Sequence, residues 1–530
     1  MFFFCYRSER RTAMEPDFRS MIPSASHVNA GTAVPRDQLP FPKKPNQPVM
    51  TLPKPHLALE DTPPVTLYGG LTLFIAFAST FKLKEHINDN LKLFKQWHPY
   101  SEADHVLALS ANLFIGGAHL EDLAVLQGSE AVCRMFGACR IPDPTTAGDF
   151  LRRFDTAGEK SVESLATTID SIEGEVWEKL RKRVAKKGKK LPLATVDLDG
   201  HIEKELGVQK EKADFSHDGR FGFQPLAITL AQTGEVLALP NRPANGRSSD
   251  GVAEELERVL PRLKPFFERI LVRGDSDFDR ADIRAVCNQH GAHFAFVGRD
   301  NRASRTRQAM MIEEGRWQPF RSRVERRKEE RRHQSGYRER KKKPNLRRRK
   351  ARERGYKELY QVRQWVSEVL FEPAGEEATY RMVIRRQLVE HREGQVHMFD
   401  EYRYHFIVTD LPRTMGATAV VDETYKRCDQ ENIIEQLQSG VAAWKMPVAE
   451  YLGNCAWLQM ARLAWNIGKW IAVLSLPPEV SRWEWKRFRR AFVLVAAQVV
   501  KGGRQITTRI SRSHRFWPQM FEALSKLQLL

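Results

Sequence analysis

Cysteine is scarce in this sequence, and the few cysteines present form no recognisable pattern. The 530 residues include six cysteines, at positions 5, 133, 139, 287, 428 and 455, and no two of them make a Cys-x-x-Cys pair. This spacing argues against a zinc-binding module and against a fold held together by disulfides. We therefore expect a protein of a reducing compartment, the cytoplasm.

Long uninterrupted apolar stretches are also lacking. The opening MFFFCYRSERR has an apolar patch that is too short for a secretory signal and has its charge on the wrong side. Near the C-terminus, AWLQMARLAWNIGKWIAVL is interrupted by Arg462, Asn466 and Lys469, which a membrane span would rarely contain. We predict a core helix here and no membrane partner. Four helical tryptophans are likewise predicted to be core residues rather than platforms for bases: Trp444, Trp457, Trp465 and Trp470.

Acidic residues are outnumbered by basic ones. Lys and Arg total 85 against 66 Asp and Glu, and the formal net charge is +19. This imbalance favours a polyanionic partner, nucleic acid before membrane. Residues 321–355 alone hold 18 Lys or Arg against 5 acidic residues. Such a run is either a solvated surface or a surface that binds phosphates. Its position inside the chain favours phosphate binding.

The character of the sequence changes several times along the chain. Residues 1–65 are rich in proline and predict a disordered arm, and residues 66–190 have helical periodicity. From LPLATVDLDG (191–200) onward, three short strands are followed by alternating helices and strands up to residue 300. This order predicts a mixed α/β sheet covered by helices. Residues 301–418 contain the basic run and strand-like alternations, which predict a β-rich insertion.

Two of the predicted strands end in aspartates. VDLDG carries Asp197 and Asp199, and LVRGDSDFDR carries Asp275, Asp277 and Asp279. Ligands in α/β sheets bind outside the ends of strands, and carboxylate oxygens are the ligands that Mg²⁺ prefers. These strand ends therefore predict a metal site. Asp277 and Asp279 are expected to lie in a turn or to cap the next helix.

A third carboxylate comes much later in the chain. VVDETYKRCDQENIIEQLQSG (420–440) predicts one helix that opens near Asp422. Thr424, Arg427, Glu431 and Gln438 are spaced so that they share one face of that helix. Taken alone, Arg427 and Glu431 could be an ordinary surface ion pair.

The whole pattern resembles the DDE transposases of bacterial insertion sequences. The resemblance is carried by an aspartate that ends the first strand, an aspartate in Arg-Gly-Asp-Ser after a later strand, and a helix with Arg-x-x-x-Glu. It is closest to the subgroup whose last motif is Tyr-x-x-Arg-x-x-x-Glu-x-x-x-x-x-x-Lys and whose core has a β-strand insertion. The 156 positions between Asp275 and Glu431 leave room for that insertion. The resemblance covers roughly residues 100–520.

The resemblance implies an α/β fold with an RNase H-like catalytic core, a mixed sheet flanked by helices. It also implies a β-rich insertion in that core and an α-helical N-terminal domain. The expected segments are a Pro-rich arm (1–65), a helical N-terminal DNA-binding region (66–190), the first part of the catalytic core (191–300), the basic β-rich insertion (301–418), the second part of the core with the Glu helix (419–475) and a C-terminal basic region (476–530).

The family's catalytic acids map onto Asp199, Asp275 and Glu431. The resemblance implies that they hold two Mg²⁺ or Mn²⁺ ions and that Arg427 supports them or holds a phosphate. Asp197 remains an alternative to Asp199, and Glu435 an alternative to Glu431.

Some positions near these acids depart from the motif, and one histidine lies beside them. The motif's Tyr and Lys positions are Thr424, with Tyr425 one place late, and Gln438. The residue after Asp199 is Gly200, where Ser or Thr is usual. His201 could be a ligand, but a lone His beside a strand end is more often a surface or supporting residue.

The implied activity is that of an insertion-sequence transposase. Such an enzyme hydrolyses phosphodiesters at the element's ends and joins the freed 3′-hydroxyl to target DNA, with a hairpin on the excised ends. The implied partners are the element ends, the target DNA and a second copy in a synaptic complex, with no small-molecule substrate. The implied location is the bacterial nucleoid. The expected DNA-binding residues are Arg427, Lys341, Lys342, Lys343, Arg347, Arg348 and Arg349. A catalytically silent DNA-binding protein and a metal-dependent nuclease are the alternatives.

Overall fold

The computed structural model describes nine ranges, and all structural statements below concern these. They are residues 63–97, 99–184, 188–205, 207–298, 303–333, 345–354, 358–392, 401–502 and 505–530. Nearly all of the predicted Pro-rich arm lies outside them. The described residues divide into two compact units, each assembled from separated segments. We call residues 192–200 and 246–431 the sheet unit, and residues 63–191, 201–245 and 432–530 the helical unit.

The described residues form seventeen α-helices. In chain order these are α1 (Leu71–Thr80), α2 (Leu83–Asn90), α3 (Glu102–Ile115), α4 (Leu123–Gln127), α5 (Glu130–Phe136), α6 (Pro144–Ala157), α7 (Glu159–Val184), α8 (Val252–Leu263), α9 (Ala281–Gln289), α10 (Ala303–Met310), α11 (Arg323–Arg332), α12 (Leu346–Glu353), α13 (Ala417–Tyr425), α14 (Cys428–Val441), α15 (Tyr451–Ser475), α16 (Trp485–Phe492) and α17 (Trp517–Gln528).

The same ranges contain fifteen strands. In chain order these are β1 (Val65–Thr66), β2 (Ala194–Gly200), β3 (Glu203–Lys204), β4 (Asp214–Phe215), β5 (Phe221–Phe223), β6 (Leu226–Leu230), β7 (Glu235–Ala238), β8 (Ile270–Gly274), β9 (His293–Gly298), β10 (Gln318–Pro319), β11 (Glu358–Phe371), β12 (Tyr380–Arg392), β13 (Glu401–Thr409), β14 (Ala497–Gly502) and β15 (Gln505–Ile510).

Seven strands of the sheet unit lie side by side in the order β10-β11-β12-β13-β9-β8-β2. The β2–β8 and β8–β9 pairs are parallel, whereas β13 pairs antiparallel with both β9 and β12. Helix α9 packs on β9, and α13 packs on β9, β11 and β12. The prediction of a mixed sheet flanked by helices is therefore confirmed.

The core of the sheet unit fixes the middle of α13. Val420 and Val421 of this helix are 0% and 1% exposed, and they belong to one apolar cluster with Leu271 of β8, Ala295 of β9 and Ile407 of β13. Removing a Val, Leu or Ile side chain of this cluster from water stabilises the folded state by about 1.5–3 kcal/mol. The helix is therefore seated on the same strands that lead to Asp275.

Strands form where the sequence analysis predicts a β-rich insertion. Strands β11, β12 and β13 are 14, 13 and 9 residues long. The strand-like alternation in their sequences is the basis of that prediction. Since β13 pairs with β9 from Phe406 to Thr409, these strands extend the sheet that carries the aspartates.

Helix α15 forms the centre of the helical unit. It contacts α1, α3, α6, α7 and α17, and its residues from Gly453 to Ser475 are all buried. Trp457, Trp465 and Trp470 on α15 are fully buried, and Trp444 is 2% exposed, so the prediction that these tryptophans are core residues is confirmed. Among the helices described, none combines the length and apolar character that crossing a bilayer requires.

Candidate active site

Two neighbouring parallel strands bring the first two acids to one edge of the sheet. Strands β2 and β8 are paired so that Asp197 lies opposite Arg273. Side chains two residues apart on a strand point to the same face. Continuing the register by two residues therefore puts Asp199, near the end of β2, beside Asp275, the first residue after β8.

The third acid comes from a helix that differs from the predicted one. The single helix predicted over 420–440 is wrong, because α13 ends at Tyr425 and α14 begins at Cys428. Between them the backbone tightens to i→i+3 hydrogen bonds, from Arg427 N to Thr424 O (3.2 Å) and from Gln430 N to Arg427 O (2.8 Å). Glu431 is exposed in the first turn of α14.

Contacts of the α13 end explain this break. The Arg273 Nη1 donates to the carbonyl oxygen of Glu423 at 2.7 Å, and the Thr424 hydroxyl donates back to the Val420 carbonyl at 2.9 Å. Bonds of this second kind bend helices. Thr424 is 1% exposed and lies on a different helix from Glu431, so the predicted shared face does not exist.

Arg427 nevertheless reaches the first acid. Its Nη1 lies 3.4 Å from Asp199 Oδ2, while the backbone N–H of Gly200 donates to Asp199 Oδ1 at 3.0 Å. The side chains of Arg427 and Asp199 are only 14% and 17% exposed. This long, partly buried pair leaves the charge of the carboxylate incompletely offset.

The pKa of Asp199 is affected by the other two acids. Burial raises the pKa of the Asp199 carboxyl to about 7; Arg427 opposes this shift, while the negative charges of Asp275 and Glu431 add to it. Like charges disfavour one another's ionised form. Asp275 and Glu431 therefore act electrostatically on Asp199, with Arg427 as the opposing cation.

The alternative first acid, Asp197, has a different environment. Its side chain is 3% exposed, and its two oxygens accept from Arg273 Nε at 2.7 Å and Nη2 at 2.8 Å. A bidentate guanidinium pair uses the carboxylate lone pairs that a metal ion would need. This geometry favours Asp199 over Asp197 as a ligand.

The two later aspartates of LVRGDSDFDR have separate surroundings. Asp277 lies in a turn, as predicted, and its N–H donates to Asp275 Oδ1 at 2.9 Å. The prediction of a helix cap is wrong for Asp279, because α9 begins after Arg280 without a side-chain cap. Asp279 is instead buried in ion pairs with Arg284 and with Arg305, the latter at 2.6 Å.

The remaining candidates are described by their own contacts and exposure. His201 Nε2 is 3.0 Å from Glu203 Oε2, and its ring stacks on Trp444 with centroids 5.1 Å apart, which fits a supporting residue. Glu435 and Gln438 are exposed on α14.

Only part of the predicted DNA-binding group can be placed. Arg347 and Arg348 belong to α12, and Arg349 pairs with Glu353 at 3.4 Å on that helix. Lys341, Lys342 and Lys343 lie outside the described residues.

The donor set suits hard divalent cations. Within the described ranges no group of three His, Cys, Asp or Glu side chains is arranged to hold one ion. Mg²⁺ is commonly held by one or two carboxylates together with waters and substrate phosphates. Asp199, Asp275 and Glu431 could therefore serve in pairs, but not as one closed cage.

Arg273 and Gln430 are not among the site residues predicted from the sequence. Gln430 is fully buried and donates from Nε2 to the Asp197 carbonyl at 2.8 Å, and Arg273 is 2% exposed. A charged residue inside an otherwise apolar strand, ILVRG, is a usable signal, because arginine is almost never fully buried unless it is paired.

Comparisons with known proteins bear on the family. None of the curated proteins matches this chain. Among solved structures, the cryo-EM structure of the piggyBac transposase synaptic complex with hairpin DNA matches with 10% identity, 79% coverage of each chain and a TM-score of 0.34. A likeness at this level does not establish a shared fold.

A family model gives the decisive match. The model described as transposase DDE domain group 1 matches residues 63–530, which is more than half of the chain. This match confirms the resemblance to DDE transposases, while the insertion-sequence subgroup stays a prediction. The chain, with its strand-end aspartates and distant glutamate, therefore belongs to the transposase DDE domain family, group 1.

Proposed function

We propose that this transposase cuts DNA at the ends of a mobile element and joins the freed 3′-hydroxyl to target DNA, using Asp199, Asp275 and Glu431. The observation that supports the proposal is the pairing of the parallel strands β2 and β8, which lead to Asp199 and Asp275, with Arg427 Nη1 3.4 Å from Asp199 Oδ2. Asp199 and Asp275 follow from two neighbouring parallel strands, and the ends of such strands are where ligands of α/β sheets bind.

Each residue has a definite part in the proposed reaction. Asp199 and Asp275, from β2 and after β8, and Glu431, from α14, would hold Mg²⁺ or Mn²⁺. Two such ions, when bound, activate the attacking oxygen and stabilise the leaving one. Arg427 would offset carboxylate charge before binding and contact a phosphate when DNA is present.

The proposed partner is DNA, which a net charge of +19 favours. Phosphate neutralisation supplies most of the affinity of such proteins. The basic residues of 321–355, Arg347, Arg348 and Arg349 among them, are proposed to contact the DNA backbone. A second copy of the chain is proposed to complete a complex that holds two element ends.

The test is cleavage of supercoiled DNA that carries the element's own flanking ends, in Mg²⁺ or Mn²⁺. Asp275→Asn and Glu431→Gln should each lower cleavage by more than about 100-fold, because partners outside the ligand sphere alone are worth about 10–100-fold. DNA binding should persist in both variants. Asp277→Asn, two residues from Asp275 in the same turn, is the matched control and should keep activity.

Three outcomes separate the possible functions. Cutting at the ends with transfer of the 3′-hydroxyl supports the proposal. Cutting without any joined product would make the protein a nuclease. Binding without cutting by the wild type, or cutting that survives both substitutions, would remove the proposed site.

A further inference from the structure

The strand that leads to Asp275 carries a buried arginine whose donors are shared between two other segments. Arg273 is the fourth residue of β8 and is 2% exposed. Its Nε and Nη2 donate to the two oxygens of Asp197 on β2, at 2.7 and 2.8 Å. Its Nη1 donates to the backbone carbonyl of Glu423 at 2.7 Å and to its Oε1 at 3.1 Å, near the end of α13.

These contacts lie close along the chain to the proposed ligands and to Arg427. Asp197 precedes Asp199 by two residues on β2, and Arg273 precedes Asp275 by two residues. Glu423 lies four residues before Arg427. A further bond, from Gln430 Nε2 to the Asp197 carbonyl at 2.8 Å, ties the residue before Glu431 to the same strand.

We propose that Arg273 is a positioning residue that fixes β2, β8 and the end of α13 in the arrangement in which Asp199, Asp275 and Glu431 can share metal ions. This inference rests on the proposed function. Arg273 touches neither substrate nor metal in this role, and it acts through the three segments that it joins.

The chemistry of arginine suits this role, and that of lysine does not. A planar guanidinium presents a rigid fork that matches a carboxylate through two bonds, while its remaining nitrogen serves another acceptor. A lysine ammonium would keep the charge but would lose this fixed geometry. Arg273→Lys therefore separates orientation from charge.

A role in stability alone explains the arrangement less well. Buried ion pairs often contribute little net stability, since desolvation of both charges offsets their attraction. The donors of Arg273 instead fix the positions of Asp197 on β2 and of Glu423 near the end of α13 relative to β8.

The experiment compares full-length wild type, Arg273→Lys, Arg386→Lys and Asp275→Asn. Mn²⁺ binding is measured from the electron paramagnetic resonance of the free ion, cleavage is measured on element-end DNA, and folding is measured by circular dichroism. Arg386 is the matched control, because its side chain is 6% exposed and pairs with both oxygens of Glu314, at 2.6 and 2.8 Å, in the same unit.

The proposal expects Arg273→Lys to be folded, to bind Mn²⁺ about 10–100-fold more weakly and to cleave about 100-fold more slowly even at saturating Mn²⁺, as a displacement of about 1 Å can cost. Arg386→Lys should bind Mn²⁺ and cleave like the wild type. If Arg273→Lys fails to fold, Glu423→Gln takes its place. This substitution keeps the backbone carbonyl of residue 423 as an acceptor and removes the side-chain charge. Like Arg273→Lys, it should weaken Mn²⁺ binding and slow cleavage.

The outcomes distinguish the two proposals. A folded Arg273→Lys or Glu423→Gln protein that binds Mn²⁺ and cleaves like the wild type overturns the positioning role, while loss in Asp275→Asn still supports the active site. If the wild type binds Mn²⁺ but never cuts, the proposed function fails. Weaker Mn²⁺ binding in Arg273→Lys than in Arg386→Lys would then still support the positioning role.

Discussion

Asp197 and Asp199 are chemically identical and two residues apart on one strand, yet their surroundings differ. Asp197 lies opposite Arg273, which comes from 76 positions away, and Asp199 lies near Arg427, which comes from 228 positions away. The sequence alone predicts that both side chains point to one face, because strands have a period of two. It could not choose between them, since the choice depends on which arginine each one meets across the fold.

His105 is a second residue whose environment decides its chemistry. It is 2% exposed on α3, its ring stacks on Phe150 with centroids 4.4 Å apart, and Tyr100 and Phe94 contact its other sides. Burial lowers its pKa from 6.5 to about 4. The folded protein therefore binds this proton less readily than the unfolded chain does.

The sign of the resulting pH dependence follows from this lowered pKa. The contribution of His105 is fully present above about pH 6.5 and is lost as the pH falls from 6.5 toward 4, by about 3 kcal/mol in total. In urea titrations, His105→Phe should reduce the drop in unfolding free energy between pH 7 and pH 5. Substitution of the exposed His119 by Gln should leave the drop unchanged. An equal drop in wild type and His105→Phe would refute this assignment.

At the scale of elements, the loop after β8 is held by buried charge. Asp279, 8% exposed as a residue, pairs with Arg284 of α9 and Arg305 of α10, and Arg284 also pairs with Glu376 in the β11–β12 turn. The loop that carries Asp275 is therefore joined to two helices and to the insertion strands.

Asp279→Asn should lower the free energy of unfolding by about 3–5 kcal/mol, because it leaves two buried guanidinium groups without a full countercharge. Urea unfolding of the purified variant measures this effect. Asp277→Asn, in the same loop but partly exposed, should cost about 1 kcal/mol or less. Similar losses in the two variants would mean that the Asp279 pairs contribute no more than a surface turn does.

Much of the element order can be predicted from local pattern, and the exceptions have long-range causes. ILVRG and AHFAFVG predict β8 and β9 because short apolar runs between turn residues favour buried strands. The break between α13 and α14 could not be predicted from local pattern alone, because one of the contacts at the end of α13 joins Arg273 to the Glu423 carbonyl, 150 positions apart. The Asp279 ion pairs were missed for the same reason.

At the scale of the whole molecule, the excess of positive charge predicts a steep salt dependence of DNA binding. The logarithm of the binding constant falls with the logarithm of salt concentration by about 0.9 per neutralised phosphate. The triple substitution of Arg347, Arg348 and Arg349 by Gln should lower this slope by about 2 to 3.

The matched control is the triple substitution of Arg258, Lys264 and Arg269 by Gln. Arg258 lies on α8, Lys264 follows that helix and Arg269 precedes β8, and all three are exposed. Arg269 is therefore at the opposite end of β8 from Asp275. Fluorescence anisotropy with a duplex at several salt concentrations gives both slopes. If the two triple variants change the salt-dependence slope equally, the basic run of residues 321–355 contributes no more to DNA binding than other exposed cations do.

The distance along the chain between the three acids has a consequence for synthesis of the protein. Asp199 lies on β2 and Asp275 directly follows β8, and these neighbouring strands can pair once about half of the chain exists, whereas the contact between Arg427 and Asp199 spans 228 positions. Contacts so remote in sequence form late in folding, and domains form as the chain leaves the ribosome. A nascent chain therefore has no complete set of the three proposed acids until residue 431 has emerged, so the proposed site can assemble only late in translation.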